Sequence, residues 1–209
     1  MILSVNKDFK SIKPIKSTSF NELNIWERNH IQNWIRQTPE ILEEDLKILS
    51  IEFDRFKNSN DRLDILALDK QGNLVVVELK RDGYAGYSDL QSIRYAAMVS
   101  SMTIEKVIPY YVSYRKKYDD EILSNDDARN EIEMFIENES FEELNNKPRI
   151  LLCSENFSQE LTTTVLWLNQ NGLDITCIRI LPHDVNGTII IVPKKIIPLQ
   201  EAKEYLIEI

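Results

Sequence analysis

Between Arg62 and Lys80 two apolar runs, Leu63-Asp-Ile-Leu-Ala-Leu68 and Leu74-Val-Val-Val-Glu-Leu79, flank the polar stretch Asp69-Lys-Gln-Gly-Asn73. That pattern predicts a hairpin of Arg62–Asp69 and Asn73–Lys80 around Lys70-Gln71-Gly72, a three-residue loop whose last position suits a left-handed glycine. Upstream, Ser19 as a cap predicts a helix to about Gln37, stopped by Pro39, and Ile48–Phe56 reads as a strand. The mixed opening, Met1–Phe20, gives no more than a strand. Downstream the pattern predicts a helix over Ser88–Met102, a short strand over Val107–Tyr114 and a helix over Glu131–Leu144. Arg149–Cys153 suits a buried strand and Ser158–Asn169 a helix with Gly172 beyond its end. Leu173–Leu181 suits another strand, and a last hairpin at Asn186-Gly187 leads to Thr188–Val192. Strand, helix, strand at that length implies a parallel pair with a right-handed crossover. The order predicts an α/β (α+β) class: a mixed sheet flanked by helices.

The chain has 209 residues, which fits one domain, with a core that needs neither disulfide nor structural metal. Two lone cysteines, Cys153 and Cys177, form no disulfide framework and are expected as buried small residues. No signal-peptide core or membrane-length apolar run occurs, so a cytoplasmic setting is expected. A net charge of −9 looks adverse to a nucleic-acid partner. Its distribution removes the objection. Residues 118–143 hold 11 acids and one base, and the remainder is close to neutral, with 24 bases against 23 acids. The acidity therefore belongs to one segment, and the rest of the surface is free to carry a basic groove.

Mirroring the hairpin about Gln71 sets Leu66 opposite Val76 and Asp64 opposite Glu78, with Cβ atoms roughly 5 Å apart. Two charges at that distance repel by about 3 kcal/mol at an effective dielectric of 20. Either one acid keeps a proton or a divalent cation sits between them. Lys80, two residues past Glu78, shares their face. An acid-x-Lys in an isolated strand is ordinarily solvated, but here Leu66, Leu68, Leu74 and Val76 share the face, so the charges sit at the mouth of a core. On a helical wheel Glu27 falls among Leu23, His30, Ile31 and Trp34. A carboxylate in that stripe calls for an Arg or Tyr partner, or for a metal. Gln91 and Tyr95 share a helix face. His30 and His183 make no ligand pair, and no phosphate-binding Gly-rich loop occurs.

The runs Arg62-Leu-Asp-Ile-Leu-Ala-Leu-Asp69, Gly72-Asn-Leu-Val-Val-Val-Glu-Leu-Lys-Arg81 and Gln91-Ser-Ile-Arg-Tyr95 resemble the PD-(D/E)xK nuclease superfamily, with its restriction-endonuclease-like fold. Within it they resemble the group that includes the catalytic domain of the endonuclease NucS. Glu27-Arg-Asn-His-Ile-Gln-Asn-Trp-Ile-Arg-Gln-Thr-Pro39 is similar to that group's acidic first helix. The likeness covers about Phe20–Met102, and Leu63 stands where the superfamily's name has Pro. The resemblance implies Asp64, Glu78 and the Leu79 carbonyl as ligands of Mg²⁺ or Mn²⁺, with Glu27 on a second metal or a water. Lys80 would orient the attacking water or stabilise charge, desolvation lowering its pKa towards that of a base. Gln91 and Tyr95 would line the site or touch phosphate. Arg28, Arg36, Arg62, Arg81 and Arg94, with Arg115-Lys116-Lys117 in reserve, would bind the polyanion.

The expected organisation is a single domain over 1–209: a core motif region over 20–102, an acidic insertion over 104–147, and a C-terminal β-α-β and hairpin over 148–209. The expected function is a Mg²⁺-dependent endodeoxyribonuclease, RNA not being excluded as substrate, with a two-fold homodimer as the simplest assembly for cutting both strands. The other reading keeps the fold as a non-cleaving nucleic-acid-binding or assembly module, with the acidic insertion docking a protein partner.

Overall fold

The computed structural model describes residues 2–53, 62–81, 88–138 and 141–198, with backbone alone for 88–90. Strands β1 (Ile2–Val5) and β2 (Ile12–Ile15) form a separate antiparallel hairpin. Six more strands make one mixed sheet in chain order: β3 (Lys47–Phe53), β4 (Leu63–Leu68), β5 (Asn73–Lys80), β6 (Asn145–Ser154), β7 (Ile175–Val185) and β8 (Thr188–Ile197). The pairs β5–β6 and β6–β7 are parallel and the others antiparallel; the strand–helix–strand spacing predicts the β6–β7 pair. Runs such as Val75-Val76-Val77 are continuous because β5 is covered on both faces, and Leu66, Leu68, Leu74 and Val76 are all buried. Cys153 and Cys177 lie buried in β6 and β7, and burial raises both thiol pKa values, so neither is a ready nucleophile.

The central turn forms as its sequence dictates. Gly72 takes φ +83°, while Asp69 Oδ1 accepts the N–H groups of Gln71 at 3.0 Å and Asn73 at 2.8 Å. The last hairpin turns on Asn186 and Gly187, both left-handed, with φ 54° and 84°.

The helices depart from expectation in three places. Ser19 does cap a turn: its Oγ accepts the Glu22 N–H at 3.1 Å, and Glu22 accepts the Ser19 N–H at 3.1 Å. Asn24, at φ 54°, ends that turn, and a fresh start follows at Glu27, with a π-helical turn Glu27–Ile31 leading into α1 (Gln32–Gln37). After α2 (Ser88–Val99), the segment read as a strand over Val107–Tyr114 lies in a helix, α3 (Ile104–Tyr118). Its buried residues Ile104, Val107, Ile108, Tyr111 and Tyr114 recur at helical spacing, so its aromatic and β-branched content yields to burial on β3. Helix α4 (Asn125–Phe135) begins six residues before the predicted Glu131 because Ser124 and Asp127 form a reciprocal capping box, and it ends well short of the predicted Leu144 because Ile136 turns to extended backbone. Helix α5 (Gln159–Gln170) is capped by Ser158 and packs on β7, while α2 packs on β5 and β6. Among the described residues no helix is long and apolar enough to cross a membrane. The end of the expected strand, 54–56, and the last residues of the chain, 199–209, lie outside the described residues.

Candidate active site

The β4–β5 register pairs Leu66 with Val76 and Ile65 with Val77. One step further sets Asp64 opposite Glu78, as the mirrored hairpin requires. Asp64 Oδ2 accepts the Leu79 N–H at 2.8 Å, so the side chain leans across the ribbon. Burial, reinforced by the charge of Glu78, pushes its pKa up to about 7. Glu78 is buried, at 2% exposure; its Oε1 accepts the Lys80 ammonium at 2.8 Å, and its Oε2 meets no hydrogen-bond partner. Desolvation also raises the Glu78 pKa, with Glu27 adding to the rise and Lys80 opposing it.

Lys80 behaves differently from the lysine base that desolvation alone would make. Burial works to lower its pKa, but Glu78, Asp64 and Glu27 together hold it above the ordinary value. It is a fixed cation at the mouth of the carboxylate pair, not a proton acceptor.

Glu27 sits at the first turn of its helix and is half-buried, instead of lying in the middle of a long apolar stripe. Its Oε1 accepts the backbone N–H of Arg81 at 2.5 Å, which supplies the polar partner that its position calls for. Among the described residues no three His, Cys, Asp or Glu side chains gather as a metal-binding group. The residues that fit a cation are thus the opposed pair Asp64 and Glu78: among the described residues Glu78 Oε2 is buried without a donor, and burial with the neighbouring charge disfavours ionisation of Asp64. Glu27 bears on the pair through charge.

Gln91 and Tyr95 are drawn together, but as scaffold. Gln91 Nε2 donates to Tyr95 Oη at 2.8 Å, and the fully buried Tyr95 hydroxyl donates to the Arg62 carbonyl at 3.0 Å, which pins the start of β4 beneath Asp64. Arg94 is exposed on α2. The Arg81 guanidinium lies 4.3 Å over the ring of Trp26, beside a cavity of about 460 Å³ lined by Trp26, Glu27, Arg28, Asn29 and Arg81. A second hollow shares Arg28 and Asn29 with it and runs on to Arg36 and Tyr118. Arg115 is not available to a polyanion, because Asp119, Glu121 and Glu131 surround it.

Sequence reasoning missed Glu52 and Gln32. The β3–β4 register pairs Ile51 with Ile65, so Glu52 falls opposite Asp64 on the side away from Glu78. Glu52 has φ 53° inside a strand, a left-handed conformation that costs a non-glycine about 1–2 kcal/mol. Its carboxylate meets Arg28 at 3.2 Å, Arg62 at 3.0 Å and the Gln32 amide at 3.0 Å. Gln32, buried, also donates to the Asp64 carbonyl at 3.0 Å. Extending the sheet register one strand outward would have found Glu52; nothing in the sequence marks Gln32.

The chain has two solved counterparts. It is similar to a repair endonuclease from Pyrococcus abyssi, with 19% identity and a TM-score of 0.33 over 78% of this chain and 48% of that one. It is also similar to the protein of an EndoMS–dsDNA complex, with 18% identity and a TM-score of 0.34 over 80% of this chain and 47% of that one. The chain thus spans about half the length of the structures it matches. No family model matches the sequence, and no curated protein does.

Proposed function

We propose that the protein is a metal-dependent nuclease that hydrolyses phosphodiester bonds of nucleic acid, with DNA as the first substrate to test. The observation that carries this reading is the buried, mutually facing pair Asp64 and Glu78, with an unsatisfied oxygen on Glu78 and the Lys80 cation on the same face. Such a pair is costly to fold around unless a positive charge enters between its members. Asp64, Glu78 and the Leu79 carbonyl would hold Mg²⁺ or Mn²⁺, an ion that when bound lowers the pKa of water and neutralises phosphate charge.

The chain's own groups do the rest. The Leu79 N–H and the Gln32 amide, one on the Asp64 carboxylate and the other on its carbonyl, fix that residue from two sides. Tyr95 anchors the preceding residue through the Arg62 carbonyl. Lys80, held protonated, stabilises negative charge developing on the scissile phosphate. Arg28, Arg62 and Arg81 ring the mouth and draw in the backbone, and Glu52 keeps the first two from swinging away.

The test is nicking of supercoiled plasmid, and cleavage of an RNA of mixed sequence, with Mg²⁺ or Mn²⁺. The wild type should cut, and Asp64→Asn and Glu78→Gln should each lose at least about 100-fold of the rate, the scale of one strong electrostatic contact in a transition state. Equal inertness of wild type and variants on both polymers would leave the non-cleaving reading in its place.

A further inference from the structure

We infer that Arg179 is an additional phosphate-binding residue, holding the nucleic-acid backbone a few nucleotides from the bond that is cut; the inference rests on the nuclease reading above. The sheet register places it. Lys80 on β5 pairs with Ser154 on β6, Ser154 with Arg179 on β7, and Arg179 with Lys194 on β8. Partners in register share a face, so Lys80, Ser154, Arg179 and Lys194 form a row across the sheet on the side of Asp64 and Glu78. Lys80 and Arg179 stand two strands apart, about 10 Å at the usual interstrand spacing. A DNA strand advances about 3.4 Å per nucleotide along its axis, so a strand crossing the sheet with its scissile phosphate at Lys80 brings a phosphate two or three nucleotides away over Arg179.

What marks Arg179 is that, among the described residues, no hydrogen bond or ion pair engages its side chain. It is half-buried, its Nε is fully buried without an acceptor, and among the described residues no carboxylate pairs with its guanidinium. Arg149 on β6 shows the ordinary arrangement, with Glu44, Asp69 and Asp174 all within 3.1 Å. A buried Nε–H without an acceptor is a liability to the fold, because that donor has given up water for nothing. A phosphate oxygen removes the liability, and the planar fork suits it better than an ammonium would. Lys194, exposed at the next position of the row, extends the positive track toward the sheet edge.

The experiment measures binding of fluorescein-labelled DNA, single-stranded and annealed, over a series of salt concentrations. The parent protein is Asp64→Asn, assayed in EDTA so that the DNA stays intact. Arg179→Met should bind about tenfold more weakly, and the slope of log affinity against log salt should shrink by about 0.7 to 0.9, the loss of one phosphate contact. Arg179→Lys should keep the slope. Because no hydrogen bond or ion pair among the described residues is lost and Met keeps a long apolar stem, Arg179→Met should melt at the same temperature as the parent or higher. Unchanged affinity and slope in Arg179→Met would overturn this inference alone, as would a lower melting temperature, the mark of a structural role. Failure of the parent to bind either DNA form, and an RNA of mixed sequence as well, would overturn it together with the nuclease reading.

Discussion

At the scale of single residues, Asp64 ties stability to pH in a direction opposite to that of most carboxylates. Its pKa rises from 3.8 to about 7 because burial, then the facing charge of Glu78, disfavours ionisation. Between those values the folded chain keeps a proton that the unfolded chain has released, so the metal-free protein loses stability as pH climbs through that window. Asn at position 64 has no charge to suppress, and its amide oxygen can still accept the Leu79 N–H. In EDTA, Asp64→Asn should therefore lose less stability than wild type from pH 4 to 7. At pH 7.5 it should melt higher by about 2–8 °C, the equivalent of about 1–2 kcal/mol. Parallel pH profiles for the two proteins would show that Asp64 ionises freely in the fold. Mn²⁺ at saturating concentration should raise the melting temperature of wild type but not of the variant, since only a ligand bound to the native state stabilises it.

At the scale of elements, the β4–β5 turn depends on one backbone conformation. Gly72 holds φ +83°, and a Cβ built on it would meet the Phe141 ring at 3.2 Å. Gly72→Ala combines left-handed strain with that contact and should cost about 1–2 kcal/mol, a fall of roughly 2–8 °C in a melt. A melt within one degree of wild type would mean that the turn relaxes without loss. This turn, and with it the register that opposes Asp64 to Glu78, was legible in the sequence because each of its rules is local: a glycine at the third loop position and a period of two on either side. Helix α3 was not, because Val107–Tyr114 carries strand-like residues and only the longer spacing Ile104, Val107, Ile108, Tyr111 reveals the face that β3 covers. The early end at Asn24 was equally hidden, since an Asn within an apolar-periodic stretch reads as an ordinary helical residue until its φ is seen. That break decides the role of Glu27, which moves from mid-helix to a first turn against Arg81. Of the site, the carboxylates and the lysine could be read from pairwise register. Glu52 and Gln32 needed a third strand and a helix in place.

At the scale of the molecule, a protein with net charge −9 takes up several acids of residues 118–143 in ion pairs and hydrogen bonds of their own. Tyr111, Arg115 and Glu131 form one cluster between α3 and α4, and Arg115 also takes Asp119 and Glu121. Lys70 reaches from the β4–β5 turn to Glu137, and Glu143 accepts the Ile104 N–H at 2.7 Å. These contacts make Arg115 a brace for the insertion, whereas Arg28, exposed beside Glu52 at the mouth of the site, faces whatever enters. The two arginines should therefore separate in two measurements. Arg115→Met strands several carboxylates and should lower stability by about 2 kcal/mol, roughly 4–8 °C, with no change in the salt slope of DNA binding. Arg28→Met removes an ion pair with Glu52 that is open to solvent on the arginine side, and should leave the melt within about 0.5 kcal/mol and reduce the slope by nearly one phosphate contact. If Arg115→Met instead flattens the salt dependence while melting normally, the acidic segment is part of the nucleic-acid surface, and the positive field must extend along α3 as far as Lys116 and Lys117.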